Sequence, residues 1–448
     1  MIRPLLFATL VSALGCERSE ATAAEGGIQS FDASSSDSGH DAVACAQSGT
    51  VDLLIVLDNS GSMRPNHERL AAATSRFIDR LLHPPSGGTL RSLHIGVVST
   101  DLGTPGYEVP SCLNGDVGDD GLLNPIRNGG ATRLHLPWRS APPDSPRSHC
   151  AAREDRYPSF LSYDASGDAA ALSLDIICNA FLDAVGCGIE QPLEAAYRAL
   201  VERRAKSDLN AGFLRDDSVL AVLFVSDEDD GSVRDCRHAE IGDLEGECRP
   251  GGRGSSNSVF AADDPRWASQ DINLRFYMYE PGSPQDPTWS LNRYVDPERL
   301  ERGFFALRPG RANLLVAGAI AGVPIELTRA DRIDWTRLLG ERASGTDGYV
   351  GVSSEGVVSM RGQNLDSVCP ARVVPACRRE GSAPVPGACD TTAQYFAWPS
   401  RRIAEVVRRV DSINGNGVLG SICAEGFSDT LDRFAARIST RLCSSPSL

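Results

Sequence analysis

Apolar residues along this chain gather into runs too continuous for a surface element. In residues 51–57, Val-Asp-Leu-Leu-Ile-Val-Leu, Asp52 is the only polar side chain. Such a run suits a strand buried on both faces, as in a parallel sheet. Residues 93–99, 219–225, 314–321 and 418–422 repeat the pattern, and 272–279 is strand-like. Between these runs the spacing turns helical. Leu70, Ala73, Phe77, Ile78 and Leu81 predict a helix over 66–82. A second helix is expected over 170–184. A third starts near Glu190, with Pro192 in its first turn and Leu193, Tyr197, Leu200 and Val201 on one face. Further helices are expected over 297–307, over 400–410 through Ile403, Val406, Val407 and Val410, and from Ser428 as cap, packing through Leu431, Phe434, Ala435, Ile438 and Leu442. Strands alternating with helices define an α/β protein with a mostly parallel central sheet.

The first strand ends abruptly in Asp58-Asn59-Ser60-Gly61-Ser62. Ligands of open α/β sheets sit just outside the carboxyl ends of the strands, where one carboxylate and two hydroxyls at alternating positions can aim at one spot. Oxygen ligands of this kind suit a hard cation such as Mg²⁺, Mn²⁺ or Ca²⁺. The bland alternative is a polar strand-to-helix turn. The 219–225 strand runs likewise into Ser226-Asp227-Glu228-Asp229-Asp230. Successive carboxylates repel, so either they share a cation or only Asp227 faces the site and the others are solvated.

These residues resemble the von Willebrand factor type A (vWA) domain, whose metal-ion-dependent adhesion site opens with Asp-x-Ser-x-Ser after the first central strand. Asp58, Ser60 and Ser62 match that motif, and Asp227 matches the family's aspartate at the end of a later strand. The resemblance implies a Rossmann-like, doubly wound sheet and a divalent cation, Mg²⁺ or else Mn²⁺ or Ca²⁺. It also implies an open coordination position that accepts a carboxylate from a protein or matrix partner. One departure stands out. The loop that supplies a threonine to the metal in the family has Cys187 here. Glu190 or a water is the expected replacement, and Asp101, at the end of the adjacent strand, is expected to contribute through water.

Outside the site, length and charge narrow the picture. The 448 residues carry one visible run of alternating elements, so the reading is one domain over 51–443, with insertions at about 102–168, 228–270 and 322–396. A net charge of −15 argues against a nucleic-acid partner, for which a basic footprint is expected, and against a broad electrostatic hold on anionic lipid. Arg3 followed by the apolar residues 5–15 reads as an export signal too short to span a bilayer. Ala13-Leu14-Gly15-Cys16 resembles a bacterial lipobox, which makes Cys16 the lipidated first residue of the mature chain. The rival is ordinary signal cleavage after Ala21-Thr22-Ala23. Residues 17–50, poor in large apolar side chains, read as a flexible stalk. The expected location is therefore the cell envelope, with the membrane reached through the lipid alone.

Thirteen cysteines leave twelve to pair once Cys16 is set aside. In an oxidising compartment these are expected to form disulfides. Sequence neighbours are favoured, giving Cys178–Cys187, Cys236–Cys248 and Cys112–Cys150, and Cys45 with Cys443 would join the domain's two ends. The absence of any Cys-x-x-Cys argues against structural zinc. Residues 114–121 carry carboxylates at calcium-loop spacing without the terminal glutamate, so a solvated acidic turn is favoured. His94, inside a strand, reads as a packed histidine. No hydrolase elbow, His-Glu-x-x-His or phosphate loop occurs. The leading expectation is a cation-dependent binding module, not an enzyme. A structural envelope protein with a vestigial site comes next, and a metal-assisted hydrolase last.

Overall fold

In a computed structural model, the described residues are 45–46, 48–84, 90–104, 107, 109, 111–112, 118–124, 150, 158–164, 166–180, 182, 186–205, 209–234, 260, 275–276, 286–328, 333–339, 341–342, 349–350, 376–378 and 396–443. The chain divides into Met1–Ala42 and Val43–Leu448, and the described residues all belong to the second unit. The expected signal, Cys16 and most of the expected stalk lie outside them, as does the Cys236–Cys248 pair.

The continuous apolar runs become the strands of one mixed, mostly parallel sheet. Strand β1 (Thr50–Leu57) pairs in parallel with β2 (Ser92–Ser99) on one side and β4 (Val219–Val225) on the other. Strands β5 (Leu315–Ala321) and β6 (Gly417–Ser421) continue the parallel order beyond β4. A short antiparallel strand β3 (Leu161–Asp164) closes the far side against β2. Read across the sheet, the order is β3-β2-β1-β4-β5-β6. The chain steps outward from β1 in one direction and then returns to build in the other. The β1/β4 boundary is therefore the topological switch point, where a crevice opens beyond the carboxyl ends.

Helices cover both faces, which is why β1 is apolar at successive positions. Val51, Leu53, Ile55 and Leu57 join one buried cluster with helices α1 (Arg64–Leu82), α2 (Ala169–Ala180) and α5 (Ser428–Ser439). Leu54 and Val56 join another with α3 (Pro192–Tyr197) and α4 (Arg401–Asn414). Side chains of this size contribute about 1.5–3 kcal/mol each when fully buried, so both faces of β1 hold it. Among the described residues no helix is long and apolar enough to cross a membrane.

Several elements differ from the sequence expectation. The stretch 297–307 forms turns and a 3₁₀ turn at Phe305–Leu307 instead of a helix. Gly303 there has φ 58°, and a Cβ at this position would stand 2.2 Å from the Tyr294 carbonyl oxygen, so the backbone folds back where a helix would run on. Strand β3 lies inside the stretch read as an insertion. Helix α5 starts at Ser428 without any side-chain capping bond. Of the expected strand 272–279, only Arg275 and Phe276 are described.

Among the described residues, four cysteine pairs stand at disulfide-bonding distance: Cys45–Cys443, Cys112–Cys187, Cys150–Cys178 and Cys377–Cys423. The first is the expected closure of the domain's ends, where Ala46 also bridges to Leu442. The expected pairs Cys112–Cys150 and Cys178–Cys187 are exchanged. The reason is spatial. Cys150 and Cys178 are buried in the core cluster under α2, whereas Cys112 and Cys187 belong to a small separate cluster with Val109, Ile189, Phe260 and Phe276.

Candidate functional site

Asp58 is the first residue beyond β1, its N–H still bonded to the Val225 carbonyl at 3.0 Å. Its carboxylate is fully buried. Oδ1 accepts from the Ser60 N–H at 2.8 Å, which closes the turn, and Oδ2 accepts from the Ser226 hydroxyl at 2.7 Å. The Ser60 and Ser62 hydroxyls lie 3.0 Å apart, and Ser62 donates to Asp227 Oδ1 at 3.0 Å. The switch-point crevice thus brings Asp58, Ser60, Ser62 and Asp227 together from the ends of β1 and β4. Asp58 and Asp227 are buried, while Ser62 is exposed at the mouth. His67, one turn into α1, donates Nε2–H to the Asp58 carbonyl at 2.8 Å and so braces the turn.

Glu190 reaches the same place from the segment before α3. The residue is 2 % exposed. Oε2 accepts from the Thr100 hydroxyl at the end of β2, and Oε1 has no hydrogen-bond partner. Burial pushes Glu190 well above the usual carboxylate range, and the nearby charges of Asp58 and Glu228 push it further. Asp227 is raised for the same first reason and then by Asp58; its bond from Ser62 and, last, the charge of Arg69 oppose the rise. Among the described residues no arginine, lysine or histidine side chain forms an ion pair with Asp58, Glu190 or Asp227. Nor does any group of three or more His, Cys, Asp or Glu side chains there meet the geometry of a metal cluster.

Asn59 sharpens the oddity. It is fully buried, and neither end of its side-chain amide has a hydrogen-bond partner. Buried polar groups are almost always bonded, so each exception calls for an explanation. Gly186 packs directly on it, since a Cβ there would come within 2.2 Å of Asn59 Oδ1.

Asp101 is bound up differently. Its oxygens accept backbone N–H groups of Gly103 at 2.9 Å and Cys187 at 3.1 Å, and burial raises its pKa. It ties two loops together beside the site. Cys187 carries its sulfur to Cys112. Of the carboxylates after Asp227, Asp229 and Asp230 pair with arginines instead, and they are not solvated either. Asp229 and Asp230 are buried and face Arg401 and Arg402 of α4 at 3.4 and 2.9 Å. Burial still raises Asp229 to about 6. The acidic turn is similarly corrected, because Asp120 pairs with Arg198 and Arg203, while Asp119 accepts from Ser99 at 2.6 Å. His94 is packed against Phe160 and donates Nδ1–H to the Phe213 carbonyl.

Thr100 and Ser226 were given no role by the sequence, although both sit one residue past a buried strand, the position that had singled out Asp58. No protein-family model matches this chain, and no curated protein matches it.

Proposed function

We propose that this chain is an exported, lipid-anchored binding module of the vWA type, which docks a carboxylate of a protein or matrix ligand through a divalent cation. Asp58, Ser60, Ser62 and Asp227 would hold the ion, Mg²⁺ or else Mn²⁺ or Ca²⁺, with Glu190 supplying the oxygen that Cys187 does not. The observation that carries the reading is a cluster of buried carboxyl groups without an ion-pair partner. Asp58, Glu190 and Asp227 are all buried, and Glu190 Oε1 and the Asn59 amide lack partners. Buried carboxylates near one another are costly unless a positive charge joins them, and oxygen-only surroundings suit a hard cation. The strand order and the switch point fit the same reading. When bound, the ion supplies a positive centre that attracts an incoming carboxylate. A ligand would arrive from the side on which Ser62 is exposed. The four cysteine pairs support an oxidising compartment.

Calorimetry tests the site. Millimolar Mg²⁺, Mn²⁺ or Ca²⁺ raises the melting temperature of the wild type and leaves Asp58→Ala unchanged. A wild type indifferent to all three ions sinks the reading. A second reading, a structural envelope protein with a vestigial site, would then replace it. That reading has its own support, since the Ser60, Ser62 and Asp227 side chains already satisfy one another. Intact mass tests the anchor, with a mature chain beginning at acylated Cys16 expected and one beginning at Ala24 against it.

A further inference from the structure

The segment from Gly186 to Gln191 has little regular structure of its own, yet it is fastened at nearly every residue. Gly186 N–H donates to the Asn59 carbonyl at 2.9 Å, Cys187 N–H to Asp101 at 3.1 Å, and Gly188 N–H to the Ser111 carbonyl at 3.1 Å. Gln191 N–H donates to the Thr100 carbonyl at 3.1 Å, and the Glu190 carbonyl accepts from Gly231 N–H at 2.7 Å. These anchors lie on the turns after β1, β2 and β4. The segment therefore sits across the carboxyl ends of the central strands, with Glu190 aimed beneath it and Gly186 pressed on Asn59. Its one covalent tie is Cys187 to Cys112, which spans 75 residues of sequence. Glycine flanks Cys187 on both sides, so apart from these anchors the backbone there has little stiffness of its own.

We propose that the Cys112–Cys187 disulfide is a redox latch on the cation site, an inference that rests on the cation reading above. Oxidised, it holds the segment down and Glu190 in place; reduced, it lets the segment lift and the cation leave. The reductant is a dithiol. One of its thiolates attacks Sγ of Cys112, the less buried residue of the pair (7 % exposed against 0 % for Cys187), and Cys187 departs as a thiolate that takes up a proton. The second thiol of the reductant then attacks the mixed disulfide and releases Cys112, which is protonated in turn. Two electrons and two protons pass to the protein, and the reductant ends as its own disulfide.

The test compares the full-length wild type, Cys112→Ser/Cys187→Ser, and Cys150→Ser/Cys178→Ser as a control that removes a disulfide from the core. Mg²⁺ affinity by titration calorimetry and amide hydrogen exchange over 186–191 in the metal-free protein are read together. Loss of the latch weakens Mg²⁺ binding by about 10–100-fold, as loss of groups that position metal ligands does elsewhere. It also speeds exchange over 186–191, while the control moves neither. Should the latch variant not fold, wild type treated with dithiothreitol until peptide mapping finds only Cys112 and Cys187 alkylated serves instead. Unchanged affinity in a wild type and latch variant that both bind Mg²⁺ overturns the latch alone, as does unchanged exchange. A wild type that binds no cation overturns the cation reading, and the latch falls with it.

Discussion

Strand β1 carries a fully buried aspartate near each of its ends, and the protein treats the two in opposite ways. Near the amino end, Asp52 is met by Arg215 through its backbone and side-chain nitrogens, each at 2.7 Å. Ser218 also bonds it, and buried Arg308 stands 3.7 Å away. At the carboxyl end, Asp58 receives one backbone N–H and one serine hydroxyl and no arginine. Shortage of cations does not explain the difference. Just beyond Asp227, Asp229 and Asp230 are met by Arg401 and Arg402. The carboxyl-end site thus gathers three buried carboxyl groups with no arginine ion pair, in a fold that meets Asp52, Asp229 and Asp230 with arginine. Stability alone gives no reason to keep such an arrangement, and an exchangeable cation does.

The largest effect should come from breaking the compensated end. Removing one partner of a buried ion pair leaves the other charge stranded, at a cost of about 3–5 kcal/mol. Asp52→Asn strands Arg308 and should lower the unfolding free energy by that order in urea titrations, with or without metal. Asp58→Asn, which keeps the shape and the turn bond, should change the metal-free stability by less than about 1 kcal/mol, since it removes charge repulsion as well as a hydrogen bond. If the two variants lose equal stability without metal, the contrast between the ends is wrong.

Cation binding should have the next largest effect. An ion that binds only the folded state adds about 2.7 kcal/mol at a hundredfold excess over its dissociation constant. Wild type and Asp52→Asn should both gain this from Mg²⁺, and Asp58→Asn should gain none. A gain that survives Asp58→Asn would place the ion elsewhere.

Much of this was legible in the sequence, because burial on both faces writes itself as an unbroken apolar run. The strands at 51–57, 93–99, 219–225, 314–321 and 418–422 announced themselves, and so did Asp58, Ser60, Ser62 and Asp227 immediately beyond two of them. What stayed hidden depends on contacts distant in sequence. Arg401 and Arg402 fall at the start of the helix expected over 400–410, and its apolar spacing does not reveal that both are buried against Asp229 and Asp230. Cysteine pairing by nearness in sequence failed because Cys178 and Cys187, though close along the chain, end in separate clusters. The helix expected at 297–307 failed at Gly303, whose positive φ no periodicity reveals.

The smallest effect separates the ends by pH. His94 sits opposite Asp52 in the β1–β2 ladder. Burial lowers its pKa and the charge of Arg215 lowers it further, against the Phe213 carbonyl bond and Asp52, which raise it. A lowered pKa means that the folded protein resists protonation. Above the ordinary histidine value of about 6.5 both states are neutral and His94 leaves stability untouched. As pH falls below that value the unfolded chain takes up the proton first, so stability is lost until the folded pKa is passed. One proton sets a ceiling of about 1.4 kcal/mol per pH unit on this loss. His94→Gln keeps a donor for the Phe213 carbonyl and cannot titrate. In metal-free urea titrations, wild type should therefore lose more stability than His94→Gln between pH 7.5 and 5.5. Identical losses would mean that Asp52 and its arginines leave the protonation of His94 as it is in the unfolded chain.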